Sequence, residues 1–210
     1  MPLATKTSKK SAAARVGAAE RPVESPLGDF DTQLMLQVRE GNSEAASRLV
    51  RRNFERVSAY IGRIVRQQRA VEDLTNDVFL SVFAHAGDYQ PTAKFSTWVY
   101  RIATNRAFNY LKQTAKLKQV STDLDDREAA IRDRSDTRPE RRMQLDELKL
   151  RVAEALSALP ARQRAALTLF EYDTMSYEQI AAILDVTVDS VRGLLTRARA
   201  DLRKRLIGVL

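Results

Sequence analysis

Cysteine is absent from this 210-residue chain, and histidine occurs only once, as His85. A chain without cysteine forms neither disulfides nor thiolate metal sites, which fits a reducing compartment. A single histidine also excludes any site with several histidine ligands. His85 lies near the end of a predicted helix, where an imidazole is more typical of a C-terminal cap than of a catalytic group.

Glycine and proline are scarce, with seven and six residues, and no glycine-rich phosphate loop is present. Because 44% of the residues are hydrophobic, the chain has enough apolar surface for one or two compact cores, and the composition favours helices. No apolar run approaches the roughly 20 residues that span a bilayer, and the N-terminus lacks a secretory signal core. We therefore predict a cytoplasmic protein that is not integral to a membrane.

Basic residues, in contrast, are in excess. The formal net charge is +8 and the sequence pI is about 9.9. This balance favours a polyanionic partner, which is either a nucleic acid or an anionic membrane surface.

Apolar periodicity divides the chain into four regions. Residues 1–28 are basic, show no apolar period and are predicted to be a disordered tail. Apolar residues recur at helical spacing in 29–114, dense mixed charge in 115–139 is typical of a flexible linker, and helical periodicity returns in 140–210. The expected fold is all-α, with two small helical domains joined by the linker.

Two helices of the first domain are expected at about 71–84 and 96–112. The first turns Leu74 and Val78 inward, and Ser96 or Thr97 is placed to cap the second.

The strongest local pattern is a helix-turn-helix near the C-terminus. A short amphipathic helix over 175–184 has Ser176 and Gln179 at the spacing of a capping box. A three-residue turn, 185–187, follows, and Thr187 can cap a second helix from Val188 to about Leu206. In such a unit the second helix enters the DNA major groove.

The second helix is basic, with six arginines and lysines against Asp189 and Asp201. Arginine can make bidentate contacts with guanine, and serine or threonine can reach phosphate or base. A solvated basic helix would be the simpler interpretation if this helix stood alone. Its coupling to the preceding helix and turn favours DNA binding.

Three segments then resemble sigma factors of the sigma-70 family, of the extracytoplasmic-function (ECF) type. Residues 70–83 resemble their polymerase-binding helix, and 94–107 resemble their promoter −10 helix. Residues 158–164, with the helix-turn-helix and 196–199, resemble their −35-binding domain. The motifs occur in the family's order, separated only by a short linker, and the resemblance covers about 30–206.

The resemblance implies a role for particular residues. Binding to core RNA polymerase, at its β′ and β subunits, is assigned to Asp73, Asn76 and Asp77. Binding to the −10 element is assigned to Lys94, Trp98, Tyr100, Arg101, Asn105 and Arg106. Of these, Trp98 and Tyr100 face either the core or the surface. Binding to the −35 element is assigned to Ser190, Arg192, Thr196, Arg197 and Arg199. The implied partners are core polymerase, promoter DNA and an anti-sigma factor, with no cofactor, metal, small-molecule substrate or enzymatic activity.

The chain departs from the family pattern at several positions. Arg101 and Ile102 stand where housekeeping sigma factors carry two tryptophans that open the duplex, which implies dependence on a near-consensus promoter. Gly193 and Leu194 stand where a polar and a basic residue are frequent, and Asp185 stands at the turn glycine.

Two alternatives stay open. A freestanding helix-turn-helix regulator would bind DNA, normally as a dimer on a palindrome, without binding polymerase. A metal-dependent nuclease has as its sole support the linker carboxylates Asp123, Asp125 and Asp126, and a flexible segment does not preorganise metal ligands.

Overall fold

The computed structural model describes residues 26–120 and 139–207, and its regular structure there is entirely helical. The N-terminal domain contains α1 (Phe30–Arg39), α2 (Ser43–Val65), α3 (Gln68–Ala84) and α4 (Phe95–Val120), with 3-10 turns at Pro26–Gly28 and Ala86–Asp88. The C-terminal domain contains α5 (Pro139–Ser157), α6 (Ala161–Glu171), α7 (Tyr177–Leu184) and α8 (Val188–Leu206). The predicted all-α fold with two helical domains is confirmed.

The core of the N-terminal domain lies between α2, α3 and α4. Leu49, Val57 and Ile61 of α2 are fully buried, as is Val78 of α3. Leu74 and Val78 face inward as predicted. Their spacing of four residues places both on one stripe of α3, so the opposite stripe is left to solvent.

The start of α4 differs from the prediction. Neither Ser96 nor Thr97 caps the helix, because α4 already begins at Phe95. The backbone N–H of Phe95 instead donates to the hydroxyl oxygen of Thr32 in α1, at 3.0 Å, and Thr32 is fully buried. The Thr32 hydroxyl in turn donates to Asp29, also at 3.0 Å. A residue far away in the sequence therefore satisfies a donor that a local cap normally satisfies.

Helix α4 also continues past the expected domain end. The prediction ended it at Lys112 and began the linker at 115, whereas the helix extends to Val120. Residues 113–120 are mostly good helix formers, so the helix continues beyond the last of the regularly spaced large apolar residues. At the far side of the linker, Pro139 is the first residue of α5, a position that proline favours.

Other boundaries moved less. Helix α3 begins at Gln68 rather than Val71, and the last residues of the predicted tail, Pro26–Gly28, form a 3-10 turn. His85 ends α3 as its C-cap, and its backbone N–H donates to the Ser81 carbonyl at 3.1 Å. Tail residues 1–25 and linker residues 121–138 lie outside the described residues. The linker carboxylates Asp123, Asp125 and Asp126 are among them.

The helix-turn-helix follows the prediction closely. Ser176 and Gln179 form the reciprocal capping box of α7, and the Thr187 hydroxyl accepts from the backbone N–H of Ser190 at 3.2 Å. Asp185 ends α7 with φ of 53°, the left-handed conformation that this turn requires and that aspartate tolerates better than most residues. Ile180 and Val191 close the buried core between the two helices.

The two domains pack against each other, α4 against α7 and α2 against α6. Arg164 of α6 donates to the Ile64 carbonyl at the end of α2 and to the Ser157 carbonyl, both at 2.7 Å. Next to it, the Arg63 guanidinium lies 4.1 Å from the centre of the Tyr172 ring. Desolvation lowers the pKa of Arg164 to about 10; the two charge-assisted hydrogen bonds offset part of the cost of its burial, while its buried Nε makes no hydrogen bond among the described residues.

We expect Ser176→Ala to lower the free energy of unfolding by about 1 kcal/mol, because it removes the acceptor of the capping box. Urea denaturation followed by circular dichroism measures this change. Ser47→Ala is the matched control, since the Ser47 hydroxyl is exposed and donates only to a carbonyl of its own helix. Equal urea midpoints for the two variants would contradict the assignment of Ser176 as a stabilising cap.

Candidate nucleic-acid interface

Helix α8 presents an exposed basic face. All five residues assigned to −35 binding are exposed there: Ser190, Arg192, Thr196, Arg197 and Arg199. Two of the three arginines have carboxylate partners, Asp189 at 2.8 Å from Arg192 and Glu171 at 3.0 Å from Arg199. These ion pairs are exposed and weak, so a phosphate can replace the carboxylate at little cost.

Helix α4 carries a second group of the assigned residues. Trp98, Arg101 and Asn105 follow each other at three and four residues, so they lie along one stripe of the helix. Arg101 and Asn105 are exposed, and Trp98 is half-buried with its ring centre 5.0 Å from that of the buried Tyr89. Lys94 is half-buried immediately before the helix. The stripe offers a cation, an amide and an aromatic edge at one surface.

Two of the assigned −10 residues do not share this stripe. Tyr100 is only 2% exposed, and its ring packs edge-on against Tyr60 with the centres 4.9 Å apart. Arg106 is exposed, and its guanidinium donates to the Ser81 hydroxyl at 2.6 Å. In the observed arrangement of the domains, Tyr100 is therefore inaccessible to nucleic acid.

The Tyr100 hydroxyl donates to the carboxylate of Asp173, which lies between α6 and α7. Burial raises the pKa of Asp173, an effect that the hydrogen bond from Tyr100 and the nearby Arg56 and Arg63 oppose. Burial, and then the charge of Asp173, raise the pKa of Tyr100. Nothing in the local sequence around Asp173 indicates this contact, because it depends on how the two domains meet.

The stripe of α4 also lies beside the turn of the helix-turn-helix. Arg101 and Asp185 are 3.8 Å apart, and both side chains are largely exposed. Such a pair contributes little to stability. It shows, however, that the two candidate DNA-binding elements lie next to each other.

Helix α3 presents the candidate polymerase-binding face. Asp73, Asn76 and Asp77 are all exposed, opposite the buried Leu74 and Val78. Leu80 continues this face one turn further and is 66% exposed. Leu80 belongs to none of the motifs described above, although its spacing from Asn76 and Asp77 places it on the same stripe.

Within residues 26–120 and 139–207 no cluster of three or more histidine, aspartate or glutamate side chains is arranged to hold a metal ion. No helix in the same ranges is long and apolar enough to cross a membrane.

Comparison with known families matches both domains. The model of sigma-70 region 2 matches residues 49–117, and that of sigma-70, region 4 matches residues 149–202. The ECF RNA polymerase sigma-E factor of Escherichia coli K12 is 35% identical over 176 residues, which cover 80% of this chain and 90% of that protein. The chain belongs to the ECF sigma factors. The RNA polymerase sigma-H factor of Pseudomonas aeruginosa is also similar to this sigma factor, with 31% identity over 183 residues, 84% of this chain and 93% of that protein.

Two solved structures share the fold of this sigma factor, each with a TM-score of 0.64. CnrH, in complex with the cytosolic domain of CnrY, is 24% identical, and the match covers 86% of this chain and 99% of that one. The sigma factor RpoE of Bartonella quintana, in complex with the anti-sigma factor NepR, is 21% identical, with 76% and 95% covered. As a sigma factor, the chain acts in promoter-directed transcription initiation by RNA polymerase. The freestanding regulator considered above is not favoured.

We expect Tyr100→Phe to loosen the contact between the domains of this sigma factor, because the buried Asp173 carboxylate loses its hydrogen-bond donor. Since the chain has no cysteine, dyes attached to Ser47→Cys and Ala200→Cys can report the distance between domains by energy transfer.

The contact between the domains should also depend on pH. The closed arrangement, in which the two domains pack against each other, raises the pKa of Asp173. The contribution of Asp173 to the stability of the closed arrangement is therefore present at acidic pH and is lost as the pH rises through that raised pKa, which the same energy transfer measures.

Tyr110→Phe is the matched control for Tyr100→Phe. The Tyr110 hydroxyl donates to Gln67 within the N-terminal domain, so its loss leaves the contact between domains intact. Energy transfer that is the same in the wild type and in both variants would show that the hydrogen bond to Asp173 does not hold the domains together.

Proposed function

We propose that the two domains divide promoter recognition between them. The N-terminal domain anchors core RNA polymerase through α3 and binds the −10 element as single-stranded DNA through α4. The C-terminal domain reads the −35 element as duplex through α8. The observation that carries this proposal is the presence, in one chain, of an exposed acidic face on α3, a polar and aromatic stripe on α4 and a basic recognition helix.

Polymerase binding is assigned to the face formed by Asp73, Asn76 and Asp77. Its side chains are exposed and continuous on one side of α3, and the apolar core fixes the other side. An acidic and polar face of this kind complements a basic and polar surface on the polymerase β′ subunit, with the β subunit contacting the rest of the sigma factor.

Binding of the −10 element is assigned to Lys94, Trp98, Arg101, Asn105 and Arg106. Cations are suited to phosphates, the amide to a base edge and the indole ring to an unstacked base. Residues 87–94 precede α4 and are suited to hold a flipped base. Tyr100 joins this set only after the domains separate, because its hydroxyl donates to Asp173 of the C-terminal domain; its ring packs on Tyr60 of its own domain.

Binding of the −35 element is assigned to Ser190, Arg192, Thr196, Arg197 and Arg199. A helix in the major groove reads bases mainly with the side chains of its leading half, and the remaining cations contact phosphates. Because these contacts release counterions, we expect the affinity for DNA to fall steeply with salt concentration.

An anti-sigma factor is the further partner that we propose. CnrH and the Bartonella RpoE are both described in complexes, with the cytosolic domain of CnrY and with the anti-sigma factor NepR. By analogy, such a factor would cover the same faces of this chain. We also propose that the protein works in the cytoplasm and gives the polymerase specificity without a cofactor or catalysis of its own.

Run-off transcription with core RNA polymerase on genomic fragments tests the proposal as a whole. We expect discrete transcripts only when the sigma factor is added, and retention of the protein by immobilised core polymerase. A protein that binds duplex DNA but neither binds core polymerase nor starts transcription would be a freestanding regulator, and the proposal would be wrong.

For the polymerase-binding face, we expect the double variant Asp73→Ala, Asp77→Ala to bind core polymerase roughly tenfold or more weakly, because it removes two charges from the docking surface. Competition for core polymerase against the wild type measures the affinity. The double variant Glu44→Ala, Glu55→Ala removes two exposed carboxylates from α2; it is the charge-matched control and should compete like the wild type. Equal competition by the double variant would remove α3 from the polymerase interface.

For the recognition helix, we expect Arg197→Ala to weaken −35 binding by about 1–3 kcal/mol, because one base contact is lost. Binding of the holoenzyme to its promoter at fixed salt gives this number. Arg205→Ala, near the end of α8, removes an exposed cation far from the leading half and serves as the control. An unchanged footprint of the Arg197 variant on the −35 element would show that another residue reads it.

A further inference from the structure

Gly193 occupies an unexpected place on the recognition helix. It lies in the interior of α8, on the stripe that also includes Ser190 and Arg197, where glycine is less favourable than alanine. Its backbone does not require glycine, since Gly41 is the glycine with a positive φ among the described residues. The reason for a residue without a side chain must therefore lie in the space next to the helix.

That space is occupied by Arg197. A Cβ atom built on Gly193 would lie 3.3 Å from Nη1, 3.6 Å from Nη2 and 3.7 Å from Cζ of Arg197. The guanidinium therefore rests against the bare backbone of Gly193, one turn before its own Cα. Side chains on a helix lean toward its N-terminus, so this direction is the natural one for a long arginine.

No carboxylate holds Arg197 in this position. Within the part of the chain that the structure describes, its side chain makes no hydrogen bond or ion pair, and Asp189, one turn before Gly193, is paired with Arg192. Arg197 lines a groove together with Arg162 of α6, the exposed Ser190 and Asp189, whose carboxylate is already paired with Arg192. Its position is therefore set by shape, and its five donors stay available to a ligand.

We propose that Gly193 is a positioning residue that determines −35 specificity through Arg197. Because Gly193 has no side chain, the Arg197 guanidinium can extend along the helix toward the leading half of α8, the part of a recognition helix that reaches the base edges. A side chain at this position lifts the guanidinium off the helix and away from the base pair that it reads. The inference rests on the proposed assignment of α8 to the −35 element.

The experiment uses the full chain with core polymerase and a promoter library in which the −35 base pairs are randomised. The wild type should discriminate at the base pair read by Arg197 by roughly 5- to 150-fold, the range of one good bidentate contact. Gly193→Ala displaces the guanidinium by a few tenths of an ångström and should reduce this ratio slightly. Gly193→Leu fills the space of the guanidinium and should reduce it to about twofold or less.

Two controls separate positioning from a general effect of glycine replacement. Gly62→Ala makes the same change inside α2, where the nearest atom, Cγ2 of Val71, is at an ordinary 3.7 Å, and it should leave every base preference unchanged. Arg197→Ala combined with Gly193→Leu should match Arg197→Ala alone, because Gly193 acts only through that guanidinium. Thermal melting should not fall for Gly193→Ala, since alanine is the better helix former.

The outcomes of this experiment are distinct. Unchanged base preference in both Gly193 variants, or a change that persists in the Arg197→Ala background, overturns the inference while the function stands. Failure of the wild type to start transcription at any promoter overturns the proposed function and this inference with it. A stepwise loss confined to one base pair and absent without Arg197 supports the inference.

Discussion

Helix α4 is central to the structure, because it takes part both in the core of its own domain and in the contact with the C-terminal domain. One side is buried against α2 and α3, and another meets α7 of the helix-turn-helix. Tyr100 takes part in both contacts, since its ring packs on Tyr60 and its hydroxyl donates to Asp173. The same helix carries the candidate −10 residues, so its proposed DNA-binding role and its structural role use neighbouring side chains.

The packing of the two domains against each other therefore affects which candidate DNA-binding residues are accessible. Arg101 lies beside Asp185, and the hydroxyl of the buried Tyr100 donates to Asp173 of the C-terminal domain. The proposed −35 residues of α8, by contrast, are exposed in the same arrangement. The proposed duplex recognition by α8 is therefore compatible with the closed arrangement, whereas the proposed use of Tyr100 on single-stranded DNA requires the domains to separate.

The sequence predicted best what depends on neighbours along the chain. The capping box of Ser176 and Gln179, the Thr187 cap and the inward face of α3 follow from spacing alone, and all are present. The predicted cap of α4 was wrong, because the backbone N–H of Phe95 donates to Thr32, a residue 63 positions earlier. The sequence left open whether Tyr100 faces the core or the surface for the same reason, since Asp173, which accepts from its hydroxyl, is 73 positions away. Contacts between distant segments leave no periodic trace in a single sequence.

The separation of Tyr100 and Asp173 along the chain also has a consequence for synthesis. Thr32 precedes Phe95, so the cap of α4 is already made when that helix leaves the ribosome. Asp173 follows Tyr100 by 73 residues, which take roughly 4 to 15 seconds to translate at 5–20 residues per second. During that interval the Tyr100 hydroxyl of the nascent N-terminal domain lacks its acceptor, because Asp173 has not yet been synthesised.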